Sequence, residues 1–399
     1  VVAAACWSGG FLVSAVGIHL HQIGLLWLGS GVIGGCGLGL GYIAPVSTLV
    51  RWFPDRRGLA TGLAIMGFGG GALIGTPLAT LLLARFSSPS SPGVAETFLV
   101  LGALYGAVML AGAFAFRVPP PGWRPPGWTP PPQQVTRSVR VGVAWRTRQF
   151  WLLWLVLCLN VTAGIGVLGV ASPMIQEVFA GRVDAAAAAG FTGLLSLFNI
   201  AGRLFWSSLS DRLGRKATYT VFFALGAVLY AAVPFAGRAG SVPLFVGAFC
   251  LILTMYGGGF ATIPAYLADL FGPGHVGAIH GRLLTAWSTA GVLGPVLVNY
   301  LREWQKAHGV PTAAVYDRTL WLMAALLVVG LGCNALVRPL PARVFEAGGP
   351  AEPAPPVVLA TAPSARSWGL VLLAWAGVGV PLVWGVAKTV RLAAVMLGG

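Results

Sequence analysis

Charged side chains inside long apolar segments are costly there, so they are the first candidates for chemistry. Arg203 is the clearest. It lies eight residues before Asp211, which is about 12 Å along a helix axis and well inside an apolar run. Thr192, Ser196, Asn199 and Arg203 are spaced 4, 3 and 4, so they share one helical face. A polar stripe ending in a guanidinium suits a carboxylate, because arginine offers it two parallel hydrogen bonds. The structural alternative is an arginine bonded to backbone carbonyls. Arg282 is the second cation in such a run. It is five positions before Trp287, a rotation of about 140° away from that face, and is expected to form a structural ion pair with Asp269.

A second constellation lies between segments. SDRLGRK (210–216) supplies Asp211, Arg212, Gly214, Arg215 and Lys216, and RWFPDRRG (51–58) supplies Arg56, Arg57 and Gly58. An acid there can meet a helix N-terminus or a neighbouring arginine, which is a gating role and not a substrate role. Other chemistry is thin. His19 and His21 have no third ligand nearby, so no metal site is expected. His280 lies on the Trp287 face, where it could titrate. The glycines of GVIGGCGLGLG (31–41) and GFGGG (67–71) have no preceding strand, so they read as close-packing positions and not as a nucleotide fingerprint. There is no Gly-Lys-Ser/Thr motif and no convergent catalytic set. No cofactor is expected, and no enzyme activity.

Composition dictates the elements that must position these residues. Of 399 residues, 57% are hydrophobic and 9% charged. A water-facing surface cannot be built from so few charges. In lipid every backbone group must bond internally, and apolar runs of about twenty residues are helix length. The expectation is an all-α integral membrane protein. The net charge of +15 suits basic loops on the cytoplasmic side and not nucleic acid. The five cysteines sit in apolar runs as packed thiols.

Candidate spans cover 1–20, 25–50, 58–84, 97–116, 150–172, 187–208, 217–236, 242–267, 277–301, 319–337 and 368–387. A Pro- and Arg-rich linker (117–149) separates residues 1–116 from 150–337, and a Pro-rich linker (338–367) precedes a final segment, 368–399. Arg and Lys concentrate in 51–57, 210–216 and the two linkers, which places these in the cytoplasm. An internal repeat joins the two main parts. Pro45 and Pro264, Gly58 and Gly277, and Gly62 and Gly281 each differ by 219 positions. The same offset puts the partner of SDRLGRK before residue 1, so the first half is expected to lack two spans and the chain to be N-terminally truncated. Two like-oriented halves around a cavity, related by an approximate two-fold axis, are the implied architecture. The final helix is expected outside that bundle.

SDRLGRK resembles the loop signature of the major facilitator superfamily, with Ser207 where a glycine is usual. GLGLGYIAPVSTLVRWFPDRRGLATGLAIMGFGGGALIGTPL (37–78) is more specifically similar to the oxalate/formate antiporter family. The resemblance covers residues 1–337, and WAGVGVPLVWG (375–385) resembles an extra C-terminal helix of some members. It implies that Arg203, with Asn199 and Ser196, holds the substrate anion. It implies that Tyr42, Tyr256 and Phe260 are aromatic positions flanking that anion. Where the family places a cavity lysine, this chain has Trp287, which favours a monocarboxylate or larger anion over oxalate. The implied function is secondary active transport of a small organic anion, mono- or dicarboxylate, by antiport or proton-linked symport. The implied protein is a monomer in a bacterial inner membrane, with a proton or counter-anion as second partner. Two other readings stand: a non-transporting membrane protein, either a sensor or an embedded enzyme, and an exporter of an unrelated small molecule.

Overall fold

A computed structural model describes residues 1–120, 123–129 and 137–345, with scattered helical residues between 369 and 391. The side chains at 70, 72, 73 and 76 are not described. Most of the expected final helix, 368–387, and much of its linker lie outside the described residues.

Ten of the eleven expected spans coincide with described helices. They are α1 (Val2–His19), α2 (Ile23–Trp52), α3 (Arg57–Phe86), α4 (Val94–Ala115), α5 (Arg148–Leu168), α7 (Ala185–Leu213), α8 (Arg215–Arg238), α9 (Val242–Phe271), the pair α10 (Val276–Leu283) and α11 (Thr285–Ala307), and α12 (Asp317–Ala335). The short α6 (Ala171–Val178) joins α5 to α7. Eight helices among the described residues are long and apolar enough to cross a membrane. Two expected spans are interrupted: α2 carries a π-helical stretch at Trp27–Ile33, and the span over 277–301 breaks at Leu284.

Local chemistry sets the ends. The Asp184 carboxylate accepts from the Ala187 N–H at 2.7 Å, and Thr147 Oγ1 from the Phe150 N–H at 3.2 Å, so both cap helix starts. Gly214 and Gly272 end α7 and α9 at φ +83°, a backbone region that favours glycine. Gly272 also touches backbone, because a Cβ there would lie 2.1 Å from the Arg137 carbonyl oxygen.

The repeat reappears in the helix ends. Adding 219 to the ends of α1 and α2, His19 and Trp52, gives the ends of α8 and α9, Arg238 and Phe271. Adding 219 to the first residue of α3, Arg57, gives the first residue of α10, Val276.

The chain forms two compact units: Val1–Trp52 with Ile74–Trp123, and Phe53–Leu73 with the described residues from Arg124 onward. This departs from the expected division at 116, because the first part of α3 packs within the second unit. The Pro/Arg-rich linker is also fastened. In the first unit Trp123 Nε1 donates to the Trp52 carbonyl at 3.0 Å and Trp52 Nε1 to the Arg117 carbonyl at 2.9 Å. In the second, the Val139 N–H donates to the Phe271 carbonyl at 2.9 Å.

The second unit is built around α9, which is buried along most of its length. Glycines bring α7 and α9 together. A Cβ at Gly257 would sit 2.1 Å from the Asn199 carbonyl oxygen, and one at Gly202 would sit 2.1 Å from that of Thr254. Buried hydroxyls find backbone partners: Tyr230 donates to the Ala163 carbonyl at 2.7 Å, and Tyr219 to that of Gly259.

At the other end of this unit, Glu177 on α6 accepts from Arg302 Nε at 2.9 Å and from Lys306 Nζ at 2.9 Å. Burial opposes its charge, but the hydrogen bonds from Arg302 and Lys306 outweigh it and hold the carboxyl at about 2, below its ordinary 4.5. A carboxyl depressed in the folded state stabilises the fold above its ordinary value and loses that contribution as pH falls towards the folded value. Glu177→Gln should therefore lower stability by roughly 1–3 kcal/mol near neutrality. In thermal unfolding of purified protein, the gap between parent and variant should be full above pH 4.5 and shrink towards pH 2. A gap that does not change with pH would show that the Glu177 charge contributes nothing.

Candidate functional site

One face of α3 carries almost no side chain. Gly58, Gly62, Ile65 and Gly69 follow at spacings of 4, 3 and 4, and this face lies against Asp211, Ser207 and Arg203 of α7. A Cβ at Gly58 would come within 2.1 Å of the Ser207 carbonyl oxygen, and one at Gly62 within 2.0 Å of Ser207 Oγ. The helices meet backbone to polar side chain, and the two candidate constellations sit at successive levels of the same contact.

At the upper level is Arg203, 5% exposed. Its Nε donates to Asn199 Oδ1 at 3.2 Å and its Nη1 to the Ile65 carbonyl at 2.8 Å. Its Cζ lies 5.7 Å from the Phe68 ring centre and 5.6 Å from that of Phe260, within cation–π range of both. Trp287 completes the aromatic group, 5.4 Å from Phe260 and 6.3 Å from Phe68 between ring centres. Tyr256 is buried one turn before Phe260 and interacts with both Arg203 and Trp287. Arg203, Asn199, Tyr256, Phe260 and Trp287 are therefore brought together.

The rest of the predicted stripe is not. Ser196 Oγ donates to the Thr192 carbonyl at 3.1 Å, and Thr192 Oγ1 to that of Ala188 at 3.2 Å, so both hydroxyls bond their own helix. Tyr42 belongs to the first unit, partly buried on α2. Phe68, Ile65 and Gly69 escaped sequence reasoning, which took GFGGG for packing alone. The signal was there: Gly69 falls on the helical face already marked by Gly58 and Gly62.

At the lower level, Asp211 accepts the Gly58 N–H at 2.9 Å and the Leu59 N–H at 3.0 Å. It thus caps the N-terminus of α3, where unpaired N–H groups and the helix dipole favour an anion. Arg215 Nη2 bridges to Asp211 at 2.6 Å and its Nε to Asp269 at 3.0 Å, while Arg57 reaches the other Asp269 oxygen at 3.1 Å. The result is a chain of alternating charge, Asp211–Arg215–Asp269–Arg57, with both arginines buried. The expected Asp269–Arg282 pair is not formed. Asp269 is held by Arg57 and Arg215, and exposed Arg282 donates to the Ala278 carbonyl of its own helix at 3.2 Å. The reason is geometric: Arg282 is on the exposed side of α10, whereas Asp269 turns towards the start of α3.

The remaining basic residues play other parts. Lys216 donates to the carbonyls of Ala335 and Val337 at 2.7 and 2.8 Å, which satisfies the C-terminal end of α12. Arg56 and Arg212 are exposed on the wall of a groove of about 920 Å³, with Arg56 3.4 Å from Asp55. Among the described residues no group of three His, Cys, Asp or Glu could hold a metal ion.

The ion chain yields a direct check. Asp269→Asn leaves two buried guanidinium groups short of one carboxylate, and should destabilise the protein by roughly 2 kcal/mol or more. Arg282→Ala should change stability by no more than about 0.5 kcal/mol, as for a surface position. Thermal unfolding of the two variants side by side measures this, and equal effects would contradict the pairing described.

Comparison with known proteins gives a consistent picture. The sequence model of the Major Facilitator Superfamily matches residues 2–295 and 160–396. The oxalate:formate antiporter of Oxalobacter formigenes is 32% identical over 268 residues, 66% of this chain and 59% of that protein. The apicoplast pyruvate carrier 1 of Toxoplasma gondii is 27% identical over 403 residues, 84% of this chain and 70% of that one. The chain spans 59% and 63% of the length of two of its curated relatives. Among solved structures, the transporter FucP in its outward conformation is similar at a TM-score of 0.62 and 16% identity, covering 85% of this chain and 82% of that one. That likeness concerns the fold.

Proposed function

This chain belongs to the Major Facilitator Superfamily, a multi-pass membrane family of transporters and not of enzymes, and from that premise we propose that it is a secondary active transporter of small organic monocarboxylates. The observation that carries the reading is Arg203: a buried cation beside an aromatic group, on a helix long and apolar enough to cross a membrane. A guanidinium in such surroundings lowers the cost of bringing one carboxylate out of water. The rings of Phe68, Phe260 and Trp287 suit the apolar body attached to it. Trp287 offers no second charge, so a dicarboxylate would have one carboxylate without a matching cation. The relatives named for oxalate, formate and pyruvate agree with a carboxylate substrate.

Transport by alternating access needs a contact that closes one side and can open. The Asp211–Arg215–Asp269–Arg57 chain fits that role, because it ties the first turn of α3 to α7, α8 and α9 through charges that water can take over when the helices part. Exchange of one anion for another is the favoured coupling. Asp211 and Asp269 are both engaged with arginine in the ion chain, which leaves neither of them assigned to carrying a proton. The location that goes with this reading is a bacterial inner membrane, with basic loops in the cytoplasm.

Uptake of radiolabelled carboxylates by reconstituted protein tests the reading. Arg203→Ala should lower kcat/KM by about 100-fold or more, since it removes the only charge assigned to the substrate. Arg203→Lys keeps the charge but not the planar pair of donors, and should cost about tenfold. Trp287→Lys should shift preference towards dicarboxylates. Counterflow driven by preloaded anion should exceed uptake into empty vesicles. Parental uptake rates in Arg203→Ala would show that Arg203 is structural and that the substrate need not be an anion.

A further inference from the structure

The Arg203 guanidinium does not merely approach α3; it lies on the backbone of that helix. Its Nη1 bonds the Ile65 carbonyl at 2.8 Å. One turn further on, a Cβ at position 69 would stand 2.9 Å from Arg203 Cζ, 3.0 Å from Nε and 3.2 Å from Nη1. Separations this short lie inside carbon and nitrogen contact distance. The planar group therefore occupies the place where any residue but glycine would put its side chain. The neighbours of Gly58 and Gly62 are different: the nearest is Ser207, through its carbonyl oxygen at Gly58 and its hydroxyl at Gly62, with Arg215 Nη1 and Asp211 Oδ1 also beside Gly58, so those glycines serve helix approach. At Gly69 all three nearest atoms belong to the Arg203 guanidinium.

The same run contains its own controls. Among the described residues, nothing lies within 4 Å of a Cβ added at Gly67 or Gly71. All three glycines lie in the interior of α3, so replacing any of them with alanine raises helix propensity by a similar amount. Only at Gly69 does the substitution meet Arg203.

We propose that Gly69 is a positioning residue for the anion site: the Ile65 carbonyl and the bare backbone at Gly69 form a rest that fixes the plane and direction of the Arg203 guanidinium. The inference builds on the reading of Arg203 as the anion-binding group. A methyl group at position 69 pushes the guanidinium off the Ile65 carbonyl and away from its place between Phe68 and Phe260. The charge stays in the site, but its donors no longer point where the carboxylate arrives. Misplacement of a binding group by about 1 Å is enough to weaken recognition by one to two orders of magnitude.

The test is anion uptake by the reconstituted protein, with each variant normalised to folded protein. Gly69→Ala should raise KM by about tenfold or more while the maximal rate changes by less than about twofold. Gly67→Ala and Gly71→Ala should keep parental KM within about twofold. The double-mutant cycle with Arg203→Lys separates positioning from packing, because a flexible ammonium has no plane to be rested on α3. In the Arg203→Lys background, Gly69→Ala should add less than about twofold to KM. An equal rise in both backgrounds overturns the proposal, as does a parental KM in Gly69→Ala. If Gly69→Ala alone fails to fold, folding restored in the double variant supports the proposal, and a double variant that also fails overturns it. Failure of the anion reading itself is a separate result: Arg203→Ala would then transport at the parental rate, whatever Gly69→Ala does.

Discussion

The contact between the glycine-lined face of α3 and the polar face of α7 is the constraint on which the rest of the second unit depends. In a membrane, apolar surface gains nothing by leaving lipid for another helix, so close packing and buried polar contacts must hold helices together. Here both operate on one line. Gly58, Gly62 and Gly69 remove the side chains that would keep the helices apart, and Asp211, Ser207 and Arg203 fill the space released. Two of those three residues then bond α3 directly, Asp211 through N–H groups of its first turn and Arg203 through the Ile65 carbonyl.

That arrangement explains why a buried guanidinium is tolerated. An uncompensated charge in a low-dielectric interior is expensive. Arg203 is held by partial charges that include the Ile65 carbonyl, the Asn199 amide oxygen, and the faces of Phe68 and Phe260. Such partners steady the cation in its place between the helices. The arginines of the lower level have the opposite character. Arg57 and Arg215 are matched by Asp269 and Asp211, so they serve cohesion and hold no net attraction for a substrate.

The two levels also share a helix. Arg203 and Asp211 are eight residues apart on α7, a little over two turns, so a displacement of α3 felt at one is felt at the other. A rigid helix held at two points is a simple physical route by which occupancy of a site and closure of one end can depend on each other.

Much of this was legible in the sequence. Low charge and apolar runs of span length dictated a helical membrane protein, because lipid leaves the backbone no other economical option. The 219-residue offset between Pro45 and Pro264 anticipated helix ends that recur at the same offset. Arg203 was conspicuous because a cation in an apolar run needs a reason, and helical spacing gave Asn199 as its neighbour. Periodicity, however, states which face a residue occupies and not what lies opposite. Thr192 and Ser196 share that face, yet their hydroxyls bond their own helix, a choice open to any short hydroxyl side chain. Asp269 was matched with Arg282 as a pair near the cytoplasmic boundary, but its partners come from 54 and 212 positions away. Phe68 and Gly69 acquire meaning only from what α7 and α9 place against them. Composition and period determined the helices and their polar faces; which faces meet was decided by the tertiary structure, because that depends on the fit of bare backbone to side chain between segments the sequence holds far apart.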